Sequence, residues 1–196
     1  MISHEYKCIF IHIPRTAGSS IEKWICGKKA KLNIKHLIAS QAKKLYKDYW
    51  NDYFKFSIVR NPWDRVVSCL KHPNHFKIRL HNKKIDYSNY IKQFTHNDIL
   101  LEHDYRYSNI KDLISDKHKP NTVYGNILDE KLDYVFKYEN LSTEVLKIKK
   151  TLNIKQDFNF HKNRLRNRNN YHIYYDSKDE IETLFYNDII KYGYQY

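Results

Sequence analysis

The sequence predicts an α/β fold built on a parallel sheet, and three observations carry that prediction. Two apolar runs rich in β-branched and aromatic residues, Cys8–Ile13 and Tyr53–Val59, have the make-up of buried strands. Each run ends in a polar loop bearing an arginine, Arg15 in the first and Arg60 in the second. Each loop then opens into a segment whose apolar residues recur at helical spacing. Two strand–loop–helix units of this kind bring the carboxyl ends of their strands to one edge of an open sheet, which is where such folds bind ligands.

The elements follow in chain order. Cys8, Ile9, Phe10, Ile11 and Ile13 make the first strand, and Pro14 stops it. Arg15, Thr16, Ala17, Gly18, Ser19 and Ser20 come next, small or hydrogen-bonding residues with one cation among them. Ile21, Trp24 and Ile25 then set a helix running to Lys31. A strand, a small-residue loop and a helix N-terminus present backbone N–H groups to an anion, and Arg15 adds a planar charged fork suited to phosphate or sulfate oxygens. The Walker pattern G-x-x-x-x-G-K-[ST] is absent. Taken alone, the stretch fits an anion cradle and also an ordinary strand-to-helix turn with a surface arginine.

Asn33–Ala39 is short and apolar around His36, and Ser40 is placed to cap a helix to about Tyr49 with Ala42, Leu45 and Tyr49 on one face. In the second unit Asn61 is the expected cap, Pro62 suits the first helical turn, and Asp64 lies where the helix dipole favours an acid. Val66, Val67 and Leu70 continue this helix, which carries Ser68 eight residues after Arg60. His72-Pro73-Asn74-His75 interrupts it. Lys77–Lys84 is basic and poorly patterned, and Tyr87–Phe94 has the spacing of a short helix. The polar stretch Thr95–Asn121 holds His96, His103 and His118, whose wide spacing reads as surface histidines rather than metal ligands. Leu132–Tyr138 alternates as a strand and ends in Glu139-Asn140. A helix follows with Leu141, Val145, Ile148 and Leu152 on one side. Lys155–Asn170 is a basic loop carrying His161, Lys162, Arg164, Arg166 and Arg168. Asp176–Tyr192 reads as one last helix with Ile181, Leu184, Phe185 and Ile189 inward.

Composition narrows the classes. With 196 residues, one domain over 1–196 is expected; 41% hydrophobic and 15% aromatic residues exclude a disordered tail. No apolar run has the length of a membrane span, and the N-terminus lacks the layout of a signal peptide, so a cytoplasmic protein is expected. Cys8, Cys26 and Cys69 show neither a pairing framework nor metal-ligand spacing, which makes them reduced structural thiols. A net charge of +13 favours an anionic ligand such as a nucleotide, a nucleic acid or an acidic polysaccharide. The same excess also fits a chain rich in Lys, Asn, Ile and Tyr throughout.

I-H-I-P-R-T-A-G-S-S near the start, followed about forty residues later by F-S-I-V-R-N-P-W-D-R-V-V-S, closely resembles the sulfotransferases, and within them the carbohydrate-type group called sulfotransferase family 2. The likeness extends through Lys137-Tyr138-Glu139-Asn140-Leu141 to Tyr192-Gly193-Tyr194, and so spans most of the chain. It implies a three-layer α/β/α domain with a central parallel sheet, related to the P-loop nucleotide kinases. It implies 3′-phosphoadenosine 5′-phosphosulfate as donor and adenosine 3′,5′-bisphosphate as product. The loop of Arg15, Thr16, Ala17, Gly18, Ser19 and Ser20 would hold the 5′-phosphosulfate, and Arg60 and Ser68 the 3′-phosphate. Arg164 or Arg166 would close over the nucleotide. The family often has Lys where this chain has Arg15, and often Ser or Thr where it has Leu165, two residues after Asn163.

Sulfuryl transfer needs positioning and charge stabilisation more than covalent help. Arg15 is therefore expected to stabilise charge on the leaving phosphate, with no metal involved. A hydroxyl acceptor must lose its proton, and His36 is the first choice of base, His75 the second and Glu139 the third, with His12 packing beside the loop. The expected acceptor is a carbohydrate or another hydroxyl compound, with no specific nucleic acid and no membrane span. Two other readings compete: a nucleotide or small-molecule kinase of related fold, opposed by the missing Walker lysine, and a basic nucleic-acid-binding module stacking bases on some of its 18 tyrosines.

Overall fold

The computed structural model describes residues 1–27, 36–70, 123–159, 171–175 and 178–196. The expectations for Lys31, for 71–122 (His75, His96, His103, His118 and the helix at Tyr87–Phe94) and for 160–170 (Arg164 and Arg166 among them) lie outside these residues, as does the start of the last helix at Asp176. The chain divides into two compact units, Met1–Arg60 with Ile127–Arg164, and Asn61–Asn126 with Leu165–Tyr196.

The first unit is a four-stranded sheet in the order β1 (Ile2–Ser3), β2 (Cys8–Ile11), β3 (Phe54–Val59), β4 (Tyr134–Lys137). β2, β3 and β4 run parallel, as predicted; β1 pairs antiparallel with β2 and makes the sheet mixed. Every side chain of β2 is buried, which is why this strand reads as a continuous apolar run. Phe10, Phe56, Ile58 and Phe136 form the core with Ile21, Trp24 and Ile25 of helix α1 (Gly18–Cys26). Burial of a side chain such as Ile21, which is fully covered, contributes about 1.5–3 kcal/mol. Trp24 is also tied down by polar bonds. Its indole N–H donates to the Gln156 carbonyl, and the Gln156 amide donates back to the Trp24 carbonyl, both at 3.0 Å. α1 begins three residues before Ile21 and stops at Gly27, whose φ of 57° suits glycine.

Helix α2 (Ala39–Leu45) corrects the expected cap. It starts one residue before Ser40, and the side-chain oxygen of Gln41 accepts the Ile38 N–H at 3.2 Å. The Ser40 N–H donates instead to Asp129 Oδ1 at 2.8 Å. The chain turns after Leu45, so Leu45 and Tyr49 are exposed rather than on a buried face with Ala42. After β4, a single 3-10 turn (Tyr138–Asn140) leads into a further helix, Leu141–Thr151, that buries Val145 and Ile148 as expected.

The second unit opens with α3 (Pro62–Leu70), capped as the sequence predicts: Asn61 Oδ1 accepts the Trp63 N–H at 3.1 Å. The Trp63 indole donates to the Lys178 carbonyl, and the Tyr175 hydroxyl donates to the Trp63 carbonyl at 2.7 Å. The C-terminal helix is two helices, Asp179–Leu184 and Tyr186–Tyr192, broken at Phe185. Phe185 leaves helical geometry (φ −103°, ψ 16°) yet keeps its ring buried. No helix among the described residues is long and apolar enough to cross a membrane.

Candidate active site

The parallel pairing fixes where a site can form in the first unit. Ile11 is level with Ser57, Ser57 with Val135, and Val59 with Lys137, so the three strands end at one edge. Three segments leave that edge: His12–Ala17, Arg60 and the turn Tyr138–Asn140. The Ser57 hydroxyl, buried in β3, donates to the Ile11 carbonyl at 2.8 Å and ties β2 to β3 beside the edge.

The loop after β2 has a backbone of alternating hand. Arg15 (φ 67°) and Ala17 (φ 70°) are left-handed, while Thr16 between them is not. Such alternation turns successive N–H groups toward one side and makes an anion-binding concavity. The Thr16 hydroxyl donates inward to the Ile13 carbonyl at 2.9 Å, which pins the loop and leaves the Thr16 backbone N–H as its means of meeting an anion. Ala17 caps α1 with no side-chain acceptor, and the first turn carries no acid. The opening N–H groups of the helix, on Gly18 and Ser19, have no acceptor within it and lie at its positive end. The Ser20 N–H is spent on the Ala17 carbonyl at 2.9 Å, and Ser20 itself is buried.

Arg60 closes this arrangement from β3. Its Nη1 donates to the Arg15 carbonyl at 3.0 Å, and its guanidinium lies 4.5 Å from the ring centroid of Tyr138. It is 1% exposed, so the charge is held out of water at the strand edge. Arg15 is half-buried.

Two histidines stand beside the loop. His12 is buried, and its Nδ1–H donates to Glu22 Oε1 at 3.0 Å. Its ring fills the space over Gly18, where an added Cβ would fall 1.9 Å from His12 Cδ2. His36 Nδ1 lies 3.0 Å from the His12 carbonyl oxygen, and the two rings are 4.4 Å apart at 54°. A carbonyl only accepts, so the His36 Nδ1 carries the proton and Nε2 is the basic nitrogen of the neutral ring.

The structure thus brings Arg15, Thr16, Ala17, Gly18, Ser19, Ser20, His36 and Arg60 together in the first unit. Ser68 is buried on α3 in the second. Glu139 is exposed in the turn after β4. Sequence reasoning missed Glu22. Its one signal was an acid set among Ile21, Trp24 and Ile25 on the inward side of α1. Among the described residues, no group of three or more His, Cys, Asp or Glu is placed to hold a metal ion.

The family model described as "Sulfotransferase family", the family-2 group, matches residues 1–195. This chain belongs to the sulfotransferase family. The match runs through both units. Comparison with curated proteins and with solved structures gave no match. Membership supports sulfuryl transfer as the class of reaction, and with it a sulfate-donating co-substrate. The mostly parallel sheet flanked by helices is the α/β sulfotransferase fold that the sequence implied.

Proposed function

We propose that this sulfotransferase uses 3′-phosphoadenosine 5′-phosphosulfate as donor and moves its sulfuryl group to an acceptor hydroxyl, of the carbohydrate class, by in-line displacement. The observation that carries the reading is the alternating-hand loop of Arg15–Ala17 with the desolvated Arg60 bonded to it at the parallel strand edge. An anion cradle and a second guanidinium beside it suit a donor with phosphate at two positions of its nucleoside. The loop N–H groups and Arg15 receive the 5′-phosphosulfate, and Arg60 the 3′-phosphate. Ser68 joins Arg60 on the strength of the family motif. Arg164 or Arg166, from the basic loop where this chain departs from the family at Leu165, closes over the nucleotide.

In the reaction the acceptor oxygen bonds to sulfur as the bond from sulfur to the phosphate oxygen breaks. The electron pair goes to the phosphate, which leaves as adenosine 3′,5′-bisphosphate and is stabilised by Arg15 and the loop amides. The acceptor proton goes to His36 Nε2, whose tautomer is set by the bond from Nδ1 to the His12 carbonyl. General-base help of this kind contributes about 10²–10⁴-fold. The net charge of +13 suits an acidic glycan as acceptor.

A thermal-shift comparison tests the donor. Adenosine 3′,5′-bisphosphate is expected to raise the melting temperature, and Mg-ATP to leave it unchanged. Stabilisation by Mg-ATP alone would make the protein a kinase and end this reading. A labelled-sulfate transfer screen over glycan, phenol and lipid acceptors then tests the acceptor class, with label on a glycan as the expected result.

A further inference from the structure

The bond from His12 to Glu22 is buried at both ends: His12 is 5% exposed and Glu22 3%. Taking a carboxylate and an imidazole out of water is costly unless the pair is well placed, so a buried pair at a strand edge calls for a physical reason. Packing alone does not supply one, because α1 already buries Ile21, Trp24 and Ile25 on the same sheet.

The geometry connects the pair to His36. Glu22 reaches back from the second turn of α1 to fix the His12 ring. The ring has no room to turn toward α1, because Gly18 lies against it so closely that a methyl there would overlap Cδ2 and Nε2. The fixed His12 then meets His36 twice: its carbonyl takes the His36 Nδ1–H at 3.0 Å, and its ring lies under the His36 ring at 4.4 Å. A carboxylate that orients one imidazole through its Nδ1–H is a known way of fixing tautomer and direction in a catalytic site. Here the orienting effect passes through one further histidine. His36 is held by a residue that Glu22 holds.

We infer that Glu22 and His12 are positioning residues that act through His36, keeping its Nδ1 protonated and its Nε2 aimed for proton transfer. The inference deepens the proposed role of His36 as base and rests on it for its effect on turnover. Neither residue is assigned a contact with substrate. Their loss therefore lowers kcat and spares the binding of donor.

The test has two arms. In the first, nitrogen-15 spectra of the histidine rings are assigned with His12→Gln and His36→Gln. In the parent protein His36 is expected as the Nδ1–H tautomer; an Nε2–H tautomer overturns the inference, whatever any variant does. In Glu22→Gln, His36 is expected to shift to a mixture of tautomers, and an unchanged His36 signal in the folded variant also overturns it. In the second arm, sulfate transfer by Glu22→Gln is expected to fall about ten- to a hundredfold in kcat, with KM for the donor within about twofold. A rise in KM with kcat intact would make Glu22 part of donor binding and sink the positioning role. Failure of the parent itself to bind adenosine 3′,5′-bisphosphate would overturn the proposed function instead, and the tautomer readings would still decide the pair.

Discussion

Arg60 and Arg65 are five positions apart, equally buried at 1% exposure, and each lies on a tyrosine ring, at 4.5 Å for Tyr138 and 5.1 Å for Tyr124. Their surroundings differ. In the second unit Arg65 faces a counter-charge. Its field lowers the pKa of Asp188, a buried carboxylate that accepts the Tyr124 N–H at 2.6 Å and the Gly125 N–H at 3.1 Å. Burial outweighs that help and holds the Asp188 carboxyl above its ordinary 3.8. In the first unit Arg60 bonds a loop carbonyl beside a backbone shaped for an anion. The same side chain on the same kind of ring faces a buried carboxylate in one unit and bonds a loop carbonyl in the other. Burial is the same for both, so the groups each guanidinium meets are what distinguish them.

The sharpest way to break this contrast is to remove each arginine. Arg65→Ala removes the stronger in effect of the two cations, Arg65 and Lys191, whose fields favour the buried Asp188 carboxylate, and is expected to cost about 3–5 kcal/mol in urea unfolding, where the parent and variant midpoints give the difference. Arg60→Ala should instead show in binding, with about a ten- to hundredfold loss of affinity for adenosine 3′,5′-bisphosphate by calorimetry, the size of one charged hydrogen bond. If both variants lose the same property, the distinction falls. Gly18→Ala forces a methyl into the His12 ring and should destabilise by about 1–3 kcal/mol, the usual range for overpacking. A melting temperature equal to the parent's would show the ring free to move.

Asp188 sharpens the picture by pH. Its carboxyl binds a proton more tightly folded than unfolded, so its contribution to stability is largest below 3.8 and falls as pH rises through the higher folded value. The stability of the parent relative to Asp188→Asn should therefore decline as pH rises from about 3.8, and a flat difference would mean that burial is not felt. The smallest effect is expected at Ala17. Its φ of 70° costs a residue with a Cβ about 1–2 kcal/mol, and glycine offsets this by about 0.5–1 kcal/mol of chain entropy. Ala17→Gly should thus gain up to about 1 kcal/mol by thermal unfolding. A loss would mean that the loop is not strained.

Much of this site was legible because burial leaves a periodic trace. β2 and β3 announced themselves as apolar runs, each loop by its arginine, and Asn61-Pro62 by the chemistry of a helix start. β1 was not legible, since two residues carry no period and their pairing comes entirely from β2. Ser40 misled because a good capping residue sat two positions past the N-cap, Ile38, whose N–H is accepted by the Gln41 side chain. Glu22 was visible only as an acid on an apolar face; its partner, ten residues back across a loop, was not.

The sequence by itself determined the order of β2, β3 and β4 and the helix that follows each, the family, and which arginines stand at strand ends. Those are properties of local pattern, and local pattern survives in a linear string. The tertiary structure decided what each polar group meets: His36 on the His12 carbonyl, His12 on Glu22, Arg60 on the Arg15 carbonyl. A side chain's chemistry depends on the dielectric and the charges within a few ångströms, and folding draws those neighbours from distant parts of the chain.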